Sequence, residues 1–182
     1  LPSYYILIFV VQNDSAMVAN PSPDFPYKGH LNLSPQELDP TKRWVIGAAI
    51  FQNNNLENPS LLLLKRAPHE ESFANAWELP GGHVEPIDET VADAVKREVR
   101  EETSQVVVEF IGGIEPMVWE SKSQSNFQLN YVVTVRPGDE VKPNADEHVA
   151  WIWAREEQID SLSMTKEMRN VVQNALKFAA QA

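Results

Sequence analysis

Between Thr90 and Thr103 the chain sets apolar residues and carboxylates into one helical stripe, and any fold it adopts must accommodate both. With about 100° between successive helical residues, Val91, Val95 and Val99 form an apolar face with Ala94 at its edge. Glu102 falls inside that face near Val95, Glu98 lies between Val91 and Ala94, and Glu101 sits just beyond Ala94. Thr90 and Asp93 have the spacing of a capping box, which fixes where the helix starts. A purely structural helix would carry leucine or alanine in that arc. Crowded carboxylates repel one another, and each one buried without a partner costs several kcal/mol. Lys96, Arg97 and Arg100 point mostly the other way. The arc is therefore either a charged, solvated face or a site for a hard divalent cation, which takes carboxylate oxygens as ligands.

The rest of the chain reads as strands around this helix. Residues 4–11 (YYILIFVV) form an aromatic and β-branched run expected as a strand, and five prolines at 21, 23, 26, 35 and 40 make residues 20–40 an irregular arm. Residues 1–40 thus separate as strand and arm from a regular domain over 41–182. Trp44 to Phe51 and Leu61 to Leu64 read as buried strands, expected to pair as a hairpin. Ser72 to Gly82 reads as a loop closed by Pro80-Gly81-Gly82. Val106 to Ile111, Met117 to Glu120, Phe127 to Val135 and Val149 to Trp153 are further strands, and Met164 to Ala180 is a C-terminal helix. Strands interleaved with two helices predict an α+β fold, a mixed sheet held between helices.

Composition narrows the chemistry. A formal net charge of −11 argues against a nucleic-acid backbone as partner, because phosphate neutralisation needs a basic surface. A small phosphorylated ligand is still admissible if a bound cation supplies positive charge. The chain has no cysteine, which excludes disulfides, thiolate zinc sites and cysteine nucleophiles and fits a reducing, cytoplasmic compartment. Tyr4 to Val11, the longest apolar run, is too short to span a bilayer, so no membrane partner is expected. The sequence opens on Leu1 rather than Met, which leaves removal of a leader or a few residues open.

The stretch from Gly82 to Gln105 (GHVEPIDETVADAVKREVREETSQ) resembles the Nudix box. Glu89, seven residues, then Arg97-Glu98-Val99-Arg100-Glu101-Glu102 match that signature in spacing and type, and Trp77-Glu78-Leu79-Pro80-Gly81-Gly82 is similar to its usual lead-in. Three departures stand out. Six residues rather than five separate Gly82 from Glu89, Ser104 replaces a glycine, and Gln105 replaces an apolar residue. Over residues 41–158 the resemblance implies the Nudix fold, a mixed β-sheet in an α/β/α sandwich, and hydrolysis of an organic diphosphate. The proline-rich arm is similar to extensions in fungal members.

The resemblance also implies roles. Glu98, Glu101 and Glu102 would ligate Mg2+ or Mn2+, with the backbone carbonyl of Gly81. Arg97 would orient the cluster by pairing with a box glutamate, and Glu89 would support the loop or metal shell. The general base would be a box glutamate or a late-loop one, for which Glu147 is the candidate; a solvated turn is the plain reading of Glu147. Lys65 and Arg66, together with Gly82, are candidates for holding substrate phosphate, or Lys65 and Arg66 simply end a strand. His148 is a phosphate contact or an exposed surface histidine, and His83 a phosphate contact or a structural one. Phe73, Trp77, Trp119, Phe127 and Tyr131 stack on a flat ligand or pack the core.

Which diphosphate is cleaved stays open among nucleoside triphosphates, nucleotide sugars, dinucleoside polyphosphates, coenzyme A, inositol pyrophosphates and isoprenoid diphosphates. An inactive Nudix-fold binding module is the rival from another class, and the presence of all three glutamates speaks against it. An isopentenyl diphosphate isomerase would need a cysteine that the chain lacks. Some Nudix relatives exchange N-terminal strands, so a homodimer is expected over a monomer, with both open.

Overall fold

In the computed structural model, residues 24–121 and 124–182 are described. The strand expected over residues 4–11 lies outside them. Among the described residues seven strands run β1 (Lys42–Ile50), β2 (Leu61–Arg66), β3 (Trp77–Glu78), β4 (Gly81–His83), β5 (Val107–Ser121), β6 (Gln124–Val135) and β7 (His148–Ala154). Two α-helices, α1 (Val91–Thr103) and α2 (Lys166–Ala179), complete the domain. One sheet has the order β4-β1-β6-β5 and the other β3-β2-β7. Among the described residues only β1 and β6 pair in parallel, and the intervening α1 and β5 supply the crossover that a parallel pair requires. The fold is the mixed-sheet sandwich that the sequence predicts.

Residue alternation explains why β1 and β2 are apolar throughout. Ile46, Ala48, Ile50, Leu62 and Leu64 belong to the core under α1, whereas Ala49, Phe51, Leu61 and Leu63 belong to the core under α2. Strands covered on both faces read as continuous apolar runs rather than alternating ones. The expected β1–β2 hairpin is corrected: a single bridge, Phe51 to Leu61, joins them, and β2 instead pairs with β3 and β7. An apolar run does not encode its partner. The two strands expected within 106–120 are one strand, β5, whose pairing with β6 is broken by bulges. The loop expected over 72–82 contains the short strands β3 and β4.

The end of the arm is part of the domain's packing. Leu31 and Leu38 join the core under α1, and Leu33 O accepts the Val91 N–H at 2.9 Å, satisfying one free donor of the helix start. Thr90 Oγ1 accepts from Asp93 N at 3.2 Å, as the capping-box spacing implies. At the other end Ser104 exits in the left-handed region, φ 63°, so serine keeps the turn that glycine would make more easily. The last carbonyls of α1 then accept from the following segment, Thr103 O from Lys142 N and Glu102 O from Asn144 N. That pairing brings residues 142–148 against the helix.

Two substitutions test this packing by urea unfolding. Leu62→Ala and Leu63→Ala are each expected to lose roughly 2–5 kcal/mol, because neighbours on β2 fill two different cores; a surface-like cost at either position would contradict the two-sided burial. Ser104→Gly is expected to gain up to roughly 1 kcal/mol by relieving the left-handed serine.

Candidate active site

The glutamates of α1 divide by burial. Glu102 is 3% exposed and Glu98 9%, whereas Glu101 is exposed. Glu102 is held by the backbone: its Oε2 accepts from Gly81 N at 2.7 Å. Gly81 reaches that position because β4 lies along β1, pairing Gly81 with Gly47 and Gly82 with Ile46. Gly81 has no room for a side chain, since a Cβ would lie 2.1 Å from the backbone Ile46 O, and one on Gly82 would lie 2.5 Å from Glu98 Oε1 and displace that carboxylate. The Pro80-Gly81-Gly82 turn thus brings a strand edge directly against two buried carboxylates.

Arg97 clamps the same region. Its guanidinium donates to both Asp88 oxygens at 2.8 and 3.0 Å, to Glu98 Oε1 at 2.8 Å, to Glu101 Oε2 at 3.2 Å and to His83 O at 3.0 Å. The acid that pairs with Arg97 from outside the helix is Asp88, buried and separated from Gly82 by five residues, while Glu89 is exposed. The longer spacing to Glu89 is absorbed by handing the role to its neighbour. Burial works against ionisation of Asp88, but its hydrogen bonds from Arg97 prevail and hold the carboxyl below the usual range. Asp88 in turn raises the affinity of Arg97 for its proton.

A fourth and fifth carboxylate face this cluster from other elements. Glu78, on β3, accepts from Arg66 Nη1 at 2.8 Å and lies 3.3 Å from His148 Nε2. Glu147 stands at the turn before β7, tied to the end of β2 through its carbonyl, which accepts from Ala67 N at 2.7 Å. Ligand atoms of Glu102, Glu147 and His148 all lie within 4.8 Å of one another. His148 is corrected from an exposed residue to a buried one, with its side chain 1% exposed and Nε2 3.8 Å from Glu102.

The electrostatics are those of a site short of positive charge. Desolvation is the main cause that pushes Glu102 well above the usual carboxylate range, aided by the negative charges of Glu78, Glu98 and Glu147 and opposed by the Gly81 N–H. Desolvation likewise raises Glu98 against the pull of Arg97. Arg66 is the other cation here; burial disfavours its charge, yet Glu78, Glu70 and Glu102 more than compensate. Two arginines thus face the negative charge of Glu78, Glu98, Glu102 and Glu147, and the donor set suits a hard divalent cation.

A cavity opens beside the cluster, lined by Arg66, Glu78, Gly81, Gly82 and His83 and extending to Phe73, Trp77, Trp119, Asn126 and Gln128. Lys65 does not line it and instead sits with Nζ 6.0 Å from the Trp77 ring centroid. Of the five candidate stacking residues, Phe73, Trp77 and Trp119 border the cavity, whereas Phe127 and Tyr131 pack with the core under α1. Glu78, Asp88 and the amides of β6 are site residues that the sequence reading passed over. The first lies in the quoted Trp77–Gly82 lead-in, the second next to Glu89, and the third shows as polar residues alternating along an apolar strand.

Comparisons with known proteins agree with this fold. The family model of the NUDIX domain matches residues 41–175. An uncharacterized Nudix hydrolase, NudL, of Enterobacter sp. (strain 638) is 35% identical over 99 residues, covering 53% of this chain and 50% of that protein. The m7GpppN-mRNA hydrolase NUDT17 of Danio rerio is 47% identical over 58 residues, 32% of this chain and 18% of that protein. The crystal structure of a MutT protein from Methanosarcina mazei Go1 superposes with TM-score 0.58 at 26% identity, over 79% of this chain and 96% of that one. The chain spans about half the length of the NudL protein it matches, and none of these three relatives is fungal, so the resemblance of the arm to fungal extensions gains no support. By the extent of the family match and by the fold, the chain belongs to the Nudix family.

Proposed function

We propose that the protein hydrolyses a diphosphate linkage in a small organic substrate, using a divalent cation held by the carboxylates of α1. The observation that carries this reading is the burial of Glu98 and Glu102 beside Glu78 and Glu147 with too few cations to balance them. Glu98, Glu102 and Glu147 would hold Mg2+ or Mn2+, with Glu101 and the Gly81 carbonyl as further candidate ligands. Such a cation polarises a diphosphate and lowers the pKa of an attacking water. Arg97 keeps Glu98 and Glu101 in place through its anchor on Asp88. Arg66 brings positive charge to the wall of the cavity, where a substrate phosphate would compete with Glu70 and Glu78 for it. Gly82 lines the cavity in which that phosphate would sit, and Lys65, turned to Trp77, is left a lesser role. Glu147 is exposed and faces Glu102, so it can accept a proton from water and release it to solvent.

The partners proposed are small diphosphate esters rather than nucleic acid or membrane. Among the described residues no helix is long and apolar enough to cross a membrane. Within this reading the protein acts in the cytoplasm and as a homodimer.

Two experiments address the metal reading. Excess chelator is expected to abolish turnover of ADP-ribose or another cleaved diphosphate, and Glu98→Gln and Glu102→Gln are each expected to lower kcat roughly 10²-fold or more at saturating Mg2+. Undiminished turnover in chelator, or near-normal kcat in both variants, refutes it.

The second experiment uses melting temperature. Glu98 and Glu102 hold protons more tightly in the folded chain than at their ordinary value of 4.5. The stability this confers is complete below that value and is lost as pH rises through the raised folded values. The metal-free protein is therefore expected to melt lower at pH 8 than these groups would allow if neutral, and Mg2+ or Mn2+ to raise the melting temperature more at pH 8 than at pH 5. Glu102→Gln is expected to melt higher than the parent without metal at pH 8 and to lose the metal-induced rise. A variant that melts lower without metal would mark Glu102 as a structural group.

A further inference from the structure

Three amide side chains on one face of β6 settle what the cavity can recognise. Asn126, Gln128 and Asn130 are 2%, 6% and 2% exposed, and their intervening neighbours, Phe127 and Leu129, pack on the opposite side under α1. The direction of each amide is dictated by partners that can only accept. Asn126 Nδ2 faces Trp119 O at 3.2 Å and Gln124 O at 3.3 Å. Asn130 Nδ2 faces Glu115 O and Gln128 O, both at 3.3 Å. Its oxygen must therefore accept, and it does so from Gln128 Nε2 at 2.8 Å. Each NH2 group has an acceptor within the protein, two for Asn126 and Asn130 and one for Gln128, so the amides cannot be flipped without setting carbonyl against carbonyl.

What is left over is acceptor capacity. Among the described residues nothing donates to Asn126 Oδ1 or Gln128 Oε1, yet neither is a buried orphan, and both residues line the cavity beside the carboxylate cluster. Gly47 locks this arrangement, since a Cβ there would meet Asn130 Oδ1 at 2.5 Å and Gln128 Nε2 at 2.7 Å. Above the amides stand Phe73 and Trp119, edge to face at 6.4 Å, with Phe73 43% exposed. The cavity thus offers an aromatic border and a floor with two amide oxygens, Asn126 Oδ1 and Gln128 Oε1, that no donor of the protein occupies.

We infer that the cavity selects substrates carrying a flat heterocycle with an exocyclic amino group, such as adenine or cytosine nucleotides, through Gln128 Oε1 and Asn126 Oδ1. This deepens the proposed function and rests on its placing the substrate in this cavity. Two amide oxygens match the two N–H bonds of an exocyclic amine. Deamination replaces that amine by an oxygen, which meets the floor lone pair to lone pair, and returns only one N–H on the ring.

The test compares binding of AMP with IMP and of CMP with UMP to the full chain with Mg2+, by calorimetry. These monophosphates contain no diphosphate to cleave, so turnover does not enter. In each pair the amino member is expected to bind on the order of tenfold tighter or more, the loss of one or two hydrogen bonds. In Gln128→Met the ratio is expected to fall to about one; Asn126→Ser serves where that variant does not fold. Equal affinities within both pairs, no binding of any of the four, or a preference that survives in the folded variants overturns the inference. A clear amino preference in a protein that hydrolyses no nucleoside diphosphate ester leaves the inference standing and removes the hydrolase reading instead.

Discussion

The structure turns on the burial of Glu102 within the apolar stripe of α1. A carboxylate there is costly, and the backbone around it is arranged to limit that cost: Gly81 donates its N–H, and β4 is short and glycine-rich so that it can approach. That approach ties β4 to β1, and through β1 to the parallel strand β6 and the rest of the larger sheet. The smaller sheet reaches the same carboxylate through Glu78 on β3 and His148 on β7. Both sheets and the helix thus converge on one buried carboxylate, with Glu78 adding like charge beside it. Such convergence is what holds a site rigid, since every first contact is itself fixed by regular structure.

Arg97 and Arg66 are placed differently around this centre. Arg97 is anchored on Asp88, outside the cluster, and so is free to share its remaining N–H bonds between Glu98 and Glu101 without being drawn inward. Arg66 is held between Glu70 and Glu78 at the cavity wall. One arginine sets the shape of the cluster; the other sets the charge seen by whatever enters the cavity. Full neutralisation by protein cations would have left no use for an external one, and the arrangement stops short of it.

How much of this was legible in the sequence follows from what each signal encodes. The helix, its cap and the anomalous glutamates were readable, because 3.6-residue periodicity fixes faces without knowing the fold. The two-sided burial of β1 and β2 was readable from their unbroken apolar runs, but their partners were not: pairing depends on chain path, and only the chain path separates β1 from β2 into different sheets. Asp88 was missed because spacing pointed to Glu89, and one residue of loop length decides which carboxylate turns inward. Burial of His148 was hidden because an Asp-Glu-His run reads as surface; it is buried because residues 142–144 pair with the last carbonyls of α1.

The polar face of β6 extends the same logic from charge to hydrogen bonding. In a strand otherwise buried on both sides, Asn126, Gln128 and Asn130 put amides where Ile or Val would pack at lower cost. The NH2 groups donate within the protein, which offsets desolvation on that side, and the oxygens of Asn126 and Gln128 are left to the cavity. The carboxylate cluster shows an excess of negative charge, and the amide floor an excess of lone pairs; each is a partial satisfaction, stable enough to fold and incomplete in one direction. A ligand bearing phosphates at one end and N–H donors at the other would complete both, with a cation between the phosphates and the glutamates. The two ends lie along one cavity because β4 and β6 flank β1 on either side, so their spacing is set by the sheet itself and not by loops.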